Sequence, residues 1–516
     1  MSLPIKIEDI YFGERDGLHE YMKSDRLQSA SLDNSFVNPP RVKMRELLTG
    51  ARYIIVGPKG TGKTTLLWHL KRSASARHSK VVLFKSEIRK EDRDQLDEMT
   101  DMIVVQDQNK YNIDTDYKTI WEWYILKNII RLISPADIIS GIEIYRDIAV
   151  ILEANQSKFN TLYDKMYVDR VKGNIKLSFD LGALKTELKA EIEARRLDGD
   201  KISLLDLVRL VQSALPSIKL TSDTAVRLYF DELEFFMSSD GDGERDRRMV
   251  RDILFSAYTV NTLCSNSGLD IVVYASVRTE LLYSIGTTTQ EINKIVSAFG
   301  VTLQWYSDAS DDNPITQIFE NKIRYSEIDA KGEYTEDVWT TYFPAFVEGK
   351  EIKKYLLDKG LHRPRGVLLL LLAAAERAGG RMAFEPEDFT DTEESYGAMI
   401  LDEFTEEISA SVPEMEIKAI MSIFRGNHFA FERGDIENIL RKMSEKDKHA
   451  KSVLNKFGVD NLLKFLFRIG MIGNQFEITE NSVRKPRNIW AVRGYEPLLD
   501  KRFVLHQSIR KILATV

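Results

Sequence analysis

The sequence predicts an α/β fold, a parallel sheet flanked by helices, extended by a helical insertion, a helical lid and a C-terminal winged-helix domain. Three observations carry that prediction. Short β-favouring apolar runs recur at 53–56, 81–84, 226–230 and 271–275, each bounded by polar or glycine-containing segments, as buried strands are. The first run turns through glycines directly into an apolar helical pattern at 64–70. After about residue 340 helical spacing takes over, interrupted by β-favouring runs at 429–431 and near Phe476 and Ile489.

A chain of 516 residues exceeds one ordinary core, so two to four domains are expected. The expected borders are an N-terminal segment at 1–50, a core at 51–340 with an insertion at about 114–218, a lid at 341–410 and a winged helix at 411–516. With 43% hydrophobic and 29% charged residues, the composition suits a soluble globular chain. Its longest uninterrupted apolar run, 367–375, falls well short of a bilayer span and predicts a buried helix. Acidic residues interrupt the first residues before any apolar segment forms, unlike an export signal. The single cysteine, Cys264, and seven histidines without metal-ligand spacing predict no internal disulfide and no structural metal. A cytoplasmic location and no membrane contact are therefore expected.

Each element follows from its residues. Phe12-Gly13 and the prolines at 39 and 40 lie in the segment leading into the core, where the prolines suggest a rigid connection. In the insertion, Trp121, Tyr124, Ile125, Ile129 and Leu132 recur at three- and four-residue steps, as do Leu181, Leu184, Leu188 and Ile192. These stripes are expected to pack in a core, with a partner surface as the lesser alternative. The stretch 238–244 is acidic and glycine-rich and reads as a solvated loop rather than a calcium site. From about Pro413 the order helix, short strand, helix at 435–442, helix at 460–469 and two strands near Phe476 and Ile489 predicts the winged helix.

The densest chemistry lies at the first bend, Gly57-Pro58-Lys59-Gly60-Thr61-Gly62-Lys63-Thr64-Thr65. The glycines let several backbone N–H groups converge on one anion, and the following helix adds its positive end. Lys63 is placed to bridge the outer phosphates of a nucleotide and Thr64 to give a hydroxyl to Mg²⁺. These are the expectations of a P-loop NTPase. Asp231, ending the third run, suits a Mg²⁺ ligand, and Glu232 the polarisation of an attacking water, with Glu234 in reserve. Ser276 and Arg278 end the fourth run, where a side chain can sense a γ-phosphate; Arg278 is favoured because its guanidinium forks onto phosphate. Arg363 and Arg365 flank Pro364 before the apolar helix, so one of them could reach the nucleotide, or both could stand in a solvated basic loop. None of the Asn-Lys pairs is followed by the Asp of a guanine-reading segment, and no transporter-type Leu-Ser-Gly-Gly occurs, which makes ATP the expected nucleotide.

Phe12-Gly13, the phosphate loop, Phe230-Asp231-Glu232-Leu233-Glu234, Val277-Arg278-Thr279-Glu280-Leu281, Trp305 after Asn293-Lys294, and Arg363-Pro364-Arg365 together resemble bacterial P-loop ATPases related to the STAND and Orc/Cdc6-type AAA+ groups, including FunZ-like chains. The similarity covers roughly residues 10–405. It implies an ATP-driven conformational switch with a lid and winged helix, a protein partner or effector, and a link to defence or DNA transactions. The long insertion departs from the pattern, and of Arg245, Arg247 and Arg248 none can be assigned as an arginine acting on a neighbouring subunit, should the chain form a homo-oligomer.

From residue 411 onward 19 Lys and Arg face 12 Asp and Glu, a net of +7 that leaves −14 on the remainder. DNA is one expected partner of that basic end, through Lys456, Lys464 and Arg468 on the helix and Arg484, Lys485, Arg487 and Arg493 around the wing. Docking on the acidic remainder is the other. Competing expectations for the whole chain are an ATP-sensing DNA-binding regulator with little hydrolysis, and a small-molecule kinase.

Overall fold

The computed structural model describes residues 4–26, 31–74, 78–84, 117–153, 176–178, 185–195, 201–233, 242–286, 290–306, 313–409, 412–480 and 483–515. At its centre is a five-stranded, wholly parallel sheet built from β1 (Ile54–Gly57), β2 (His78–Leu83), β3 (Val226–Leu233), β4 (Ile271–Arg278) and β5 (Gly300–Thr302), in the order β2-β3-β4-β1-β5. β1 and β4 are buried along their whole length. That is why both read as unbroken apolar runs rather than alternating ones. Helices α1 (Lys63–Ser73), α2 (Lys118–Leu132) and α3 (Asp242–Asn266) flank the sheet.

Several expectations need correction at their edges. β4 continues three residues past Ala275, so Ser276 and Arg278 lie within the strand rather than beyond it. β5 has only three residues, too few for its pattern to stand out in sequence. The insertion is helical at α2, Ile142–Glu153, Leu188–Arg195 and Leu204–Ala214, but it also holds two small antiparallel pairs, Ile138–Ser140 with Lys219–Leu220 and Lys176–Ser178 with Lys201–Ser203. Leu181, Leu184 and Glu234 lie outside the described residues. Of the stretch expected to be a solvated loop, Asp242 onward already belongs to α3.

The long helices that follow the sheet are α4 (Pro314–Lys331), α5 (Pro364–Ala378) and α6 (Glu393–Ser409), with shorter helices at Val338–Tyr342, Ile352–Lys359 and Pro386–Thr390 between them. Pro364 starts α5 at the first helical position, where a missing N–H costs nothing, and the apolar run behind it is buried as expected. The chain then continues through α7 (Glu414–Phe424), the short β6 (Ala430–Phe431), α8 (Arg433–Ser444) and α9 (Lys448–Arg468). It closes with β7 (Ile472–Glu480), β8 (Val483–Ile489) and β9 (Arg502–Leu505), an antiparallel sheet in the order β6-β9-β7-β8. The strand expected to start at Ile489 instead ends there, and Ala491–Arg493 forms a 3₁₀ turn. α9 begins earlier than expected and is broken at Gly458, whose φ of 62° and ψ of 175° only glycine adopts readily.

Buried side chains form two clusters. One, from Val42 to Leu303, packs the sheet with its flanking helices and insertion. The other joins Ile7, Ile10 and Phe12 to residues from Trp305 to Leu513, so α4 to α6 share one core with the C-terminal sheet. Among the described residues no helix is long and apolar enough to cross a membrane.

Candidate functional site

The site begins where β1 delivers Gly57 to the carboxyl edge of the sheet. Parallel register sets Gly57 opposite Arg278 and Ile55 opposite Ser276 on β4. Beyond Gly57 the chain folds back sharply, with φ of 76° at Gly60 and 83° at Gly62, the residue that caps α1. A methyl group at Gly57 would approach Thr61 Oγ1 to 2.6 Å. The Thr61 hydroxyl donates to the Pro58 carbonyl at 2.8 Å, and the Trp305 indole N–H donates to the Thr61 carbonyl at 2.8 Å. Lys63 folds back over its own loop, donating to the carbonyls of Gly57 at 2.9 Å and Pro58 at 3.0 Å. Thr65 is covered from the other side by Gly17, where a methyl group would sit 2.7 Å from its hydroxyl.

Asp231 reaches this loop from β3. Pairing of β3 with β4 runs in register to Phe230 and Ala275 and resumes at Leu233 and Val277, so β3 carries an extra residue there. That bulge holds Glu232 at a φ of 55°, turning it away from ordinary strand geometry. Asp231 is buried, and the Ser276 hydroxyl donates to its Oδ1. Burial, the largest influence, pushes the Asp231 pKa up, whereas Ser276, the Glu232 amide, the Thr64 hydroxyl and the Lys63 ammonium favour its charged form. Its other oxygen, Oδ2, is buried without a donor in hydrogen-bond geometry. An orphaned carboxylate oxygen facing a threonine hydroxyl is a donor set that fits a hard divalent cation such as Mg²⁺.

Apart from Lys63, the expected cations Lys59, Arg278, Arg363 and Arg365 all face acids of α6. Lys59 pairs with Glu406 and lies 3.2 Å from Glu403. Arg278, buried, lies 3.6 Å from Glu406. Arg363 pairs with Glu407 and donates to the carbonyls of Lys59 at 3.3 Å and Ile469 at 2.7 Å. Arg365 lies 3.3 Å from Glu403, and its backbone N–H donates to the Gly60 carbonyl at 3.2 Å. Glu407 is wholly buried; burial first, and Glu280 as well, push its pKa up to about 7 against the pull of Arg363 and Arg278. Sequence reasoning missed Glu403, Glu406 and Glu407, because acids on a helix read as a solvated face. Their signal lay in the cations opposite, which needed counter-charges once buried.

A small pocket of about 110 Å³ opens beside Gly60, Gly62 and Thr65 and is closed by Phe12, Phe319 and Leu368. The N-terminal segment, read from sequence only as a connection, is thus part of the site's wall.

The basic C-terminal side chains are differently placed. Lys456 is exposed on α9, its pKa lowered by partial desolvation first, with Glu416 opposing and Arg247 of α3 adding to the effect. Arg468 lies 3.4 Å from Glu496. The side chains of Arg245, Arg484 and Lys485 lie outside the described residues.

Comparison with curated proteins returns no match. A family model for the FunZ-associated C-terminal helical domain matches residues 314–405, from α4 into α6. The matched segment contributes Arg363, Arg365 and Glu403 to the wall facing the glycine loop, and in that segment the chain is FunZ-like.

Proposed function

We propose that this chain is a Mg²⁺-dependent P-loop ATPase related to the STAND and Orc/Cdc6-type AAA+ groups, and that its nucleotide state drives a conformational switch. One observation carries the reading: Asp231, with an orphaned oxygen, faces Thr64 and Lys63 at the start of the helix that follows the glycine loop. The strand order and the shared carboxyl edge of β1, β3 and β4 support it, since open parallel sheets bind ligands at that edge.

In this reading the loop amides and Lys63 hold the phosphates, while the slot at Phe12, Phe319 and Leu368 receives the base. Thr64 and Asp231 hold Mg²⁺, which when bound neutralises phosphate charge. Glu232, aimed by the bulge, orients the attacking water. Arg278 reads the outer phosphate from the neighbouring strand. Arg363 and Arg365 tie the α4 to α6 helices, acting as a lid, to the occupied loop.

The C-terminal domain acts as a winged helix that packs on the rest of the chain, a role supported by the core it shares with α4 to α6. The switch serves a partner protein in a bacterial defence or DNA-transaction complex, the role that the sequence resemblance implies. ATP turnover by the purified full chain, with and without DNA, tests this. Hydrolysis that is lost in Glu232→Gln while ATP binding remains, and binding that is lost in Lys63→Ala, are the expected results. A wild-type chain that takes up no nucleotide would overturn the reading, and consumption that requires an added metabolite would point to a kinase.

A further inference from the structure

A second, larger cavity of about 550 Å³ lies where the sheet, the helices after it and the C-terminal domain meet. It reaches the glycine loop at Pro58 and Thr61, whereas the small pocket reaches it at Gly60, Gly62 and Thr65. The two share Trp305 as a common wall.

Its lining is cationic. Lys350, Lys354, Arg468, Arg487, Arg493 and Arg510 face it, against three carboxylates, Glu280, Asp358 and Glu496. Two of those acids are already engaged: Asp358 lies 3.4 Å from Lys350 and 3.6 Å from His362, and Glu496 lies 3.4 Å from Arg468. Lys354 and Arg487 are exposed and have no carboxylate partner among the described residues. Trp490 adds a partly exposed aromatic surface to the same wall.

A surplus of cations and an indole lining one open cavity describe a ligand with a multiply charged anionic end and a flat ring. Arginine forks match phosphate oxygens, and an indole face stacks on a planar ring. The volume is that of a small-molecule site rather than of a helix groove.

We infer that this cavity binds a phosphorylated, ring-bearing small molecule of the nucleotide class, at a site separate from the glycine loop. Its wall leads directly to that loop. Leu361 and His362 both hold left-handed backbone, with φ of 60° and 51°, and the next residue, Arg363, donates to the Lys59 carbonyl. A ligand that moves His362 therefore moves the turn that aims Arg363.

The test is equilibrium binding to the full chain of the four ribonucleoside 5′-monophosphates and inorganic pyrophosphate, in the wild type, in Lys63→Ala and in the double variant Lys354→Ala/Arg487→Ala. Binding of at least one probe that survives Lys63→Ala and weakens about tenfold or more in the double variant is expected, the scale of losing charge-assisted contacts. Both substituted side chains are exposed, so the double variant should fold, and an unchanged melting temperature would show that it has. No binding of any probe overturns the inference. So does binding lost with Lys63→Ala and kept in the double variant, which would assign the probes to the loop. A DNA duplex that binds through Lys354 and Arg487 when no mononucleotide does would overturn it in favour of nucleic acid. Because Lys63→Ala is one arm, the inference can fail or stand independently of the ATPase reading.

Discussion

The Lys59 ammonium and the Glu406 carboxylate meet across the boundary between the glycine loop and α6. Glu406 also faces Arg278, so one carboxylate supplies the counter-charge for two of the cations expected to see phosphate. On the proposed ATPase reading an incoming triphosphate must compete with it. Glu406→Gln should therefore bind ATP more tightly, by about 1 kcal/mol, the scale of a partly exposed ion pair. Calorimetric titration checks the sign, and weaker binding would mean that Glu406 helps to build the site.

Glu232 sits on a bulge at a φ of 55°, where a Cβ is unwelcome. In an ordinary strand Gly is less stable than Ala; here the order should reverse. Glu232→Gly is expected to be more stable than Glu232→Ala by about 1 kcal/mol. Denaturant midpoints measure this, and a more stable Ala variant would remove the case for backbone strain. Both variants should lose turnover by about 10² or more if the carboxylate positions water.

Glu407 ties stability to pH. Its folded pKa, about 7, lies above the value near 4.5 of an unburied glutamate, so the folded chain holds an extra proton between those values. Stability contributed here is present at low pH and is lost as pH rises from about 4.5 through 7, on the order of 3 kcal/mol at most. Glu407→Gln, which cannot ionise, should gain melting temperature relative to wild type as pH is raised from 5 to 8. A difference independent of pH would show that Arg363 keeps Glu407 charged throughout.

Trp305 holds the loop through its indole N–H to the Thr61 carbonyl. Trp305→Phe keeps most of the packing and removes that donor, which is expected to cost about 1–2 kcal/mol. The loss should appear in nucleotide affinity as well as in thermal stability. An effect on stability alone would show that the bond does not shape the loop.

The glycine loop and its strand–helix setting were legible because glycine spacing and buried strands leave strong local patterns. Asp231 and Ser276 were readable as strand-end polar residues, though not the hydrogen bond between them, which depends on β3 and β4 being neighbours. Arg363 and Arg365 could be identified as candidates, but their partners lie some forty residues away on α6, at a separation no local pattern spans. β5 and β9 escaped for a different reason: three- and four-residue strands owe their pairing to the sheet edge they meet rather than to their own residues.

The division of buried side chains into two bodies has a mechanical consequence. Among the described buried residues the backbone passes from one body to the other only twice, between Phe12 and Val42 and between Leu303 and Trp305. Both crossings border the small pocket, which Phe12 and Trp305 line. Two covalent tethers placed side by side form a pintle. Rotation about them would slide Phe319 and Leu368 past Gly60 and Thr65 across the pocket and, a residue or two away, pull the Arg363 guanidinium from the Lys59 carbonyl.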